Sequence, residues 1–172
     1  RGQLLAVLAH RFGRALLDLA GERLDGREPA ADVLGELRVA QRIAAPAGKG
    51  DYGAFSVFCQ YYAEPELLFD VPASCFIPQP KVTSAVVRMD RRAAPPASVD
   101  DEKLFFRTVR AAFAQRRKTL SNALRSAFSE LDRAAIESAM EETGLPPAVR
   151  GETLSIAQFA ALSNALLRKF DK

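Results

Sequence analysis

The segment from Phe76 to Met89, FIPQPKVTSAVVRM, contains residue types that together could hold a flat base. Its two prolines restrict φ and donate no backbone hydrogen bond, so we predict that Phe76 to Pro80 form a stiff, extended loop. The β-branched residues after this loop favour a strand from Val82 to Met89. The loop would then present the ring of Phe76 rigidly at a strand entrance, as an enzyme that must hold a base requires.

The motif FIPQPKVTSAVVR resembles the F-x-P-x-P-K-V-x-S segment of the ribosomal RNA adenine dimethyltransferases. Three further segments resemble the same family, namely Asp51 to Tyr62, Asp101 to Leu124 and Arg150 to Leu166. The resemblance implies S-adenosylmethionine-dependent methylation of N6 in two adjacent adenines of small-subunit rRNA, during ribosome biogenesis. It also implies that Phe76 is one wall of the pocket that stacks the target adenine.

Two simpler interpretations of this loop remain open from the sequence. Phe76 could be an ordinary core phenylalanine that anchors a strand. Lys81 could contact an RNA phosphate, or it could be a solvated lysine.

The sequence lacks the motifs with which the family binds the methyl donor and catalyses transfer, a glycine-rich turn after a strand and N-L-P-Y. Gly48, Gly50 and Gly53 match G-x-G-x-x-G, but the residues before them predict a helix that ends in a proline. A cofactor turn follows a buried strand instead, so we interpret GKGDYG as a loop before a helix. We therefore expect these 172 residues to bind no S-adenosylmethionine, to contain no complete catalytic site and not to methylate RNA alone.

Three hypotheses are compatible with a chain that resembles the later half of the family. The chain could be part of a full dimethyltransferase, which is the favoured statement of the parent function. It could be a non-catalytic RNA-binding or ribosome-assembly protein derived from the family, which is the favoured description of what these 172 residues could do. It could also be a degenerate or fused chain whose N-terminal helices only cover an exposed sheet edge.

The stretch from Lys103 to Arg125 contains seven basic residues and no acidic one. At helical spacing six of the seven share one face, opposite an apolar face, which predicts an amphipathic helix with a basic outer surface. Such a surface attracts phosphates, whereas an ordinary solvated face mixes charges of both signs. The predicted RNA-binding residues are Lys81, Lys103, Arg107, Arg110, Arg116, Arg117, Lys118 and Arg125.

Arg116 does not share the basic face of this helix. It projects to the apolar side, so either it is buried and paired or the helix kinks between Gln115 and Thr119. The kink is the favoured interpretation, because it would move Arg116 outward.

Hydrophobic periodicity predicts an α+β fold that ends in a small C-terminal helical bundle. The family resemblance implies that the part before this bundle is a remnant of a Rossmann-like methyltransferase domain. The remnant is expected to contain helices and an antiparallel strand pair. The predicted N-terminal elements are helices at Gln3–Glu22, Ala30–Ala45 and Asp51–Tyr62, a turn at Gly26–Pro29, and strands at Glu66–Val71 and Val82–Met89. The predicted divisions are an N-terminal helical segment (1–37), a methyltransferase-like part (38–90), a linker (91–100) and a helical RNA-binding domain (101–172).

The same hydrophobic periodicity predicts which side chains face the core, and the residue types at the helix ends predict the caps. Phe55, Phe58 and Tyr62 should face inward on the helix Asp51–Tyr62. In the C-terminal domain, Asp132 should cap a helix that ends at Gly144. The last helix should start with a capping box and bury one stripe, with Ser155 and Gln158 in the box and Ile156, Phe159, Leu162 and Leu166 in the stripe.

Composition limits the remaining classes of function. The chain has no apolar run of membrane-spanning length and no signal-peptide pattern, so we expect a cytoplasmic protein without a membrane partner. One histidine, His10, is too few for a metal site. Cys59 and Cys75 are isolated and are predicted to be buried, reduced thiols. The family resemblance implies small-subunit rRNA within the pre-30S particle as the partner.

Overall fold

The computed structural model describes residues 31–115 and 117–170. The predicted helix Gln3–Glu22, the predicted turn Gly26–Pro29 and Arg116 therefore lie outside the described residues. The described elements are, in chain order, β1 (Ala31–Glu36), α1 (Leu37–Ala44), α2 (Ala54–Tyr62), β2 (Ala63–Val71), β3 (Ser84–Arg91), α3 (Glu102–Ala114), α4 (Leu120–Ala127), α5 (Arg133–Glu142) and α6 (Ile156–Phe170).

The three described strands form one antiparallel sheet in the order β1-β3-β2. The predicted antiparallel pair corresponds to β2 and β3 and is confirmed, with Ala63 opposite Arg91 at one end and Val71 opposite Ser84 at the other. A bulge between Leu67 and Phe69 shifts the register of β2. The central strand β3 buries Ala85, Val87 and Met89.

The helix predicted for Ala30–Ala45 is wrong over its first half. Residues Ala31–Glu36 form β1, which pairs with β3 from Ala31 opposite Met89 to Glu36 opposite Ser84. The helix α1 begins only at Leu37. Pairing with β3 gives the backbone N–H and C=O groups of this segment hydrogen bonds that they would otherwise form within a helix. The periodicity of a short segment cannot reveal a pairing strand so distant in sequence.

The described chain divides into two compact units. The sheet unit comprises residues 31–45 and Phe58–Pro95, and the helical unit comprises Pro46–Val57 and the described part of Pro96–Lys172. The division after Pro95 falls inside the predicted linker, 91–100. Residues Pro46–Val57, which the sequence assigns to the methyltransferase-like part, group with the helical unit, and the predicted divisions by role remain predictions.

In the sheet unit, Gln60 joins α2 to the end of α1. Its side-chain amide donates to the carbonyl oxygens of Ile43 and Ala45 at 2.9 and 2.8 Å. These bonds satisfy carbonyl groups that the end of a helix leaves without a partner. Arg92 in turn donates to the carbonyl oxygen of Gln60 at 3.1 Å.

The side chains that α2 buries differ from the prediction. Phe55, Phe58 and Tyr62 are half-buried, whereas Val57, Cys59 and Tyr61 are buried. The rings of Phe58 and Tyr62 lie edge to face with their centroids 5.2 Å apart. Aromatic rings at helical spacing can pack against one another near the surface. Their spacing alone therefore does not show that they face the core.

In the helical unit, the predicted caps of α5 and the predicted start of α6 are confirmed. Asp132 accepts a hydrogen bond from the N–H of Ala135 at 2.7 Å, and Gly144 has the positive φ of 67° that favours glycine after a helix. Ser155 and Gln158 form the reciprocal bonds of a capping box. Within the predicted stripe of α6, Phe159, Leu162 and Leu166 are buried and Ile156 is half-buried.

Residues Pro46–Val57 bind the helical unit through backbone and side-chain contacts. The N–H of Gly48 donates to the carbonyl oxygen of Glu152 at 2.8 Å. The buried hydroxyl of Tyr52 donates to the carbonyl oxygen of Leu154 at 2.9 Å, and its ring lies 5.7 Å from that of Phe113. The GKGDYG sequence is thus a loop between α1 and α2, as predicted, and not a turn after a strand.

The two cysteines have different environments. Cys59 is buried in α2, and burial raises its pKa to about 12. Cys75 is exposed, so the prediction of two buried thiols is wrong for this residue. It ends a short 3-10 turn, Ala73–Cys75, in the loop between β2 and β3, where the chain leaves the sheet.

Neither a membrane-spanning helix nor a metal-ligand cluster occurs in the part of the chain that the structure describes. None of its helices has both the length and the apolar character needed to cross a membrane. Its histidine, cysteine and acidic side chains form no group of three or more that could hold a metal ion.

Candidate nucleic-acid interface

The loop between β2 and β3 contains Phe76, the aromatic side chain that the sequence motif predicts as a wall for a base. The N–H of Phe76 donates to the carbonyl oxygen of Ala73 at 3.3 Å, which closes the 3-10 turn onto Phe76. Phe76 has extended backbone angles, but the chain bends over residues 76–78 and the Ile77–Pro78 peptide bond is cis. The prediction that Phe76 to Pro80 run extended is therefore wrong at the start of the loop.

This loop presents an aromatic, an aliphatic and a cationic side chain close together in sequence. Phe76 is half-buried, Ile77 is fully exposed and Lys81 is exposed. Half-burial can hold one edge of the Phe76 ring while leaving another part accessible, as stacking on a base requires. The roles of Phe76 and Lys81 remain predictions.

The basic residues from Lys103 to Arg125 lie on two helices, not on the single helix that the sequence predicts. The helix α3 ends at Ala114, and α4 begins at Leu120. Between them the N–H of Lys118 donates to the carbonyl oxygen of Gln115 at 2.9 Å. The favoured kink between Gln115 and Thr119 is thus a complete break between two helices, and Arg116 within it lies outside the described residues.

Five of the predicted RNA-binding residues form what we call the basic surface of the helical unit, and all five are exposed. Within the described residues, none of them has an ion-pair partner. Exposed cations that form no ion pair retain their attraction for phosphate oxygens. The basic surface consists of Lys103, Arg110, Arg117, Lys118 and Arg125.

Arg107 shares the predicted face but has several partners in the helical unit. Its guanidinium forms an ion pair with Glu130 at 2.8 Å and donates to the carbonyl oxygen of Ala127 at 2.7 Å. It also lies 4.3 Å from the ring centroid of Phe128. The pKa of Glu130 is lowered, first by a backbone hydrogen bond and then by the bond from Arg107. These contacts give Arg107 a role in packing the end of α4.

A shallow depression of about 390 Å³ lies at the break between α3 and α4. It is lined by two cations of the basic surface and three neutral polar side chains, namely Lys118, Arg125, Gln115, Asn122 and Ser126. Ammonium, guanidinium, amide and hydroxyl groups are the side-chain donors that bind phosphate and sugar oxygens in nucleic-acid complexes. The depression therefore presents donors of the kind that contact an RNA backbone.

Sequence reasoning missed Arg150 as a neighbour of the basic surface. The N–H of Leu120, the first residue of α4, donates to the carbonyl oxygen of Val149 at 2.8 Å, and the exposed Arg150 follows directly. Gly151 packs so closely on α3 that a Cβ there would lie 2.7 Å from the Cβ of Ala112. Helical periodicity could not reveal this proximity because Arg150 lies in a coil segment distant in sequence from α3 and α4.

The described residues do not fit the S-adenosylmethionine that the resemblance implies. Such a cofactor requires a strand that leads through a glycine-rich turn into a helix, so that backbone N–H groups face the ligand. Within the described residues, β1 continues directly into α1, β2 leads into a 3-10 turn without glycine, and β3 leads into a coil. We therefore derive no step of methyl transfer from these residues.

Comparison with known proteins identifies close relatives of this sequence. The family model described as ribosomal RNA adenine dimethylase matches residues 24–167. The chain is 45% identical to ribosomal RNA small subunit methyltransferase A of Geobacillus thermodenitrificans, over 90% of this chain and 53% of the relative. The corresponding protein of Shouchella clausii is 43% identical, over 99% of this chain and 60% of the relative. The chain thus spans about half the length of the curated relatives it matches.

Solved structures show the same fold at lower sequence identity. A dimethyladenosine transferase from Plasmodium falciparum superposes with a TM-score of 0.71 at 16% identity, over 91% of this chain and 63% of that chain. The 23S rRNA methyltransferase ErmE superposes with a TM-score of 0.54 at 23% identity, over 80% of this chain and 55% of that chain. The predicted α+β class, a Rossmann-like methyltransferase part followed by a helical bundle, is confirmed. From the family model and the relatives together, the chain belongs to the ribosomal RNA adenine dimethylase family.

Proposed function

We propose that this chain is part of an enzyme that dimethylates N6 of adenines in small-subunit rRNA during ribosome biogenesis, with S-adenosylmethionine as methyl donor. The observation that carries the proposal is the family match over residues 24–167, together with relatives named as small-subunit rRNA methyltransferases. Within that activity, the described residues supply an RNA-binding surface and one wall of the adenine pocket.

The basic surface supports the RNA-binding part of the proposal. Its exposed cations make no ion pairs within the described residues, so they can pair with phosphates. Each phosphate neutralised releases bound counterions, which makes the affinity fall as salt rises. Arg150 would extend this surface beside the start of α4.

Phe76 supports the assignment of the adenine wall. A target base must leave its stack before a methyl group can reach it, and an accessible ring can then hold its flat face. Base–aromatic stacking contributes about 1–3 kcal/mol. Lys81, five residues further on in the same loop, would bind a neighbouring phosphate.

The methyl donor would be bound outside the described residues, because these residues lack the turn that its site requires. We assign to 38–90 the methyltransferase-like part, to 91–100 the linker and to 101–172 the RNA-binding domain, and leave 1–37 without a role. The proposed setting is the pre-30S particle in the cytoplasm. The relatives named above are all methyltransferases, so no observation favours the non-catalytic alternative.

The test of the activity uses the full-length protein with labelled S-adenosylmethionine and small-subunit rRNA. Mass spectrometry of the digested RNA should find N6,N6-dimethyladenine. A relative such as the Geobacillus thermodenitrificans enzyme, assayed in parallel, is the positive control. If the relative methylates the rRNA and this protein transfers no methyl group, the proposed activity is wrong.

Calorimetry of the 172-residue chain tests the RNA-binding part separately. Titration with a small-subunit rRNA fragment should give binding that weakens in a series of increasing salt concentrations. Affinity that stays constant across the series would show that the basic surface does not contact phosphates. A second titration with S-adenosylmethionine should give no binding, and measurable binding would contradict the placement of the cofactor site.

A further inference from the structure

Ile77 is the most exposed large hydrophobic side chain of the described residues. Its side chain is 101% exposed, compared with 58% for Phe69 and 39% for Val82. Water contact over a whole aliphatic side chain is unfavourable, and a ligand that covers such a side chain gains binding free energy. Ile77 also follows directly after Phe76, the proposed wall of the adenine pocket.

Backbone hydrogen bonds anchor both ends of the loop that carries Ile77. Before Ile77, the N–H of Cys75 donates to the carbonyl oxygen of Pro72 at 3.0 Å, and Phe76 closes the same turn. After it, the carbonyl oxygen of Thr83 accepts a hydrogen bond from the N–H of Leu37 at 3.1 Å. Two prolines, at 78 and 80, restrict φ between these ends. A side chain displayed on a restrained loop loses little conformational entropy when it binds.

We propose that Ile77 packs against the nucleobase next to the adenine held by Phe76. The inference rests on the proposed function, because it requires an RNA strand in this loop. When one base is turned out of a stack, the flat face of its neighbour is uncovered, and apolar side chains can occupy such gaps. Ile77 is then a positioning residue that keeps the neighbouring base from closing the gap.

The charge near Ile77 favours RNA as the occupant. Lys81 is exposed in the same loop and has no ion pair within the described residues. An aliphatic side chain and a cation exposed on the same loop match a nucleotide, which offers a flat base and a phosphate together. An apolar protein surface would cover Ile77 but would leave Lys81 without a counter-charge.

The experiment measures the affinity of the 172-residue chain for a small-subunit rRNA hairpin with adenines in its loop, by fluorescence anisotropy. A second hairpin has abasic sites in place of these adenines. Ile77→Ser should weaken binding to the first hairpin by roughly three- to tenfold, as expected when one apolar side chain no longer packs on a base. It should leave both the affinity for the abasic hairpin and the salt dependence unchanged. Ile77→Leu should restore most of the affinity.

Val82→Ser is the matched control, since it removes a less exposed aliphatic side chain beyond Lys81. It should change the affinity less than Ile77→Ser does. If Ile77→Ser and Val82→Ser lower the affinity equally, the loop offers only a general apolar patch, and the specific role of Ile77 is overturned. An equal loss of Ile77→Ser on the abasic hairpin would overturn it too.

Failure of the inference can be told apart from failure of the proposed function. A wild-type chain that binds neither hairpin at low salt contradicts the RNA-binding proposal and, with it, the role of Ile77. A wild-type chain that prefers the adenine hairpin, with an Ile77→Ser variant that binds identically, contradicts the role of Ile77 alone.

Thiol labelling in the full-length protein tests coverage of Ile77 by the rest of that protein. In a Cys75→Ser background, the thiol of Ile77→Cys should react rapidly when the protein is free and slowly when the rRNA hairpin is bound. Slow labelling that does not depend on RNA would show that protein covers this position and would overturn the inference.

Discussion

The guanidinium of Arg107 lies 4.3 Å from the ring centroid of Phe128, and the same guanidinium donates to the carbonyl oxygen of Ala127 at 2.7 Å. These contacts distinguish Arg107 from Arg110, one turn further along α3, which is exposed and has no ion pair in the part of the chain described. Two arginines on one predicted basic face therefore have different environments, and the RNA-binding role predicted for both stays a prediction.

Replacing Arg107 should lower stability more than it lowers RNA affinity. Arg107→Ala removes the cation–π contact and the bond to Ala127, which should lower the free energy of unfolding by about 1–2 kcal/mol. Urea unfolding provides the measurement. Arg110→Ala is the control on the same helix and should unfold like the wild type. If Arg110→Ala lowers the free energy of unfolding more than Arg107→Ala does, the packing role of Arg107 is wrong.

Reversing charges on the basic surface should weaken RNA binding and flatten its salt dependence. In Arg110→Glu/Arg117→Glu, the slope of log K against log salt should decrease by about 0.7 for each single-strand phosphate that the protein no longer neutralises. Arg133→Glu makes the same type of charge change on α5, outside the basic surface, and should have a smaller effect. If the double variant binds the rRNA fragment like the wild type throughout the salt series, the surface is merely solvated.

Gly151→Ala should destabilise the helical unit. A Cβ at Gly151 would lie 2.7 Å from the Cβ and 2.8 Å from the carbonyl oxygen of Ala112, so backbone has to move. Such overpacking costs about 1–3 kcal/mol. Gly50→Ala is the matched control, because a Cβ there meets nothing within 4 Å. Thermal unfolding should show a lower Tm for Gly151→Ala alone, and equal Tm values would contradict this packing.

Alkaline pH should destabilise the protein partly through Cys59. Burial raises the pKa of Cys59 from 9.0 to about 12, so the unfolded state loses this proton first as the pH rises. The stabilising contribution of Cys59 is therefore complete below pH 9 and is lost progressively between pH 9 and 12. Urea unfolding at a series of pH values should show a shallower decline for Cys59→Ala than for the wild type. If the free energy of unfolding declines equally with pH in the wild type and in Cys59→Ala, the thiol of Cys59 is not buried.

RNA should protect Cys75 if Phe76 is a wall of the adenine pocket. Cys75 is exposed and precedes Phe76, whereas Cys59 is buried and serves as the internal control. An aromatic disulfide reagent should label Cys75 in the native chain and Cys59 only after unfolding. The rRNA hairpin should slow the labelling of Cys75, and Phe76→Ala should reduce this protection. If the rRNA hairpin does not change the labelling rate of Cys75, the proposed position of the base at Phe76 is wrong.

Local sequence signals predicted the structure correctly where both partners of an interaction lie in one short segment. Asp132 and Ser155 lie within three residues of the N–H groups that they cap, and Gly144 supplies a backbone angle that depends on glycine itself. The motif from Phe76 likewise identified the family and a candidate wall of the site. These features depend on residue type and spacing, which the sequence contains directly.

Tertiary structure decided the features whose partners are distant in the chain. Ala31–Glu36 form a strand because β3 supplies its hydrogen bonds, and Arg107 has a ring contact and an ion pair because Phe128 and Glu130 lie close to it. Cys59 and Cys75 are the same residue type, and only their elements make one buried and the other exposed. The sequence by itself thus determined the family, the motif and the caps, whereas three-dimensional proximity decided which cations and which apolar side chains remain available to a ligand.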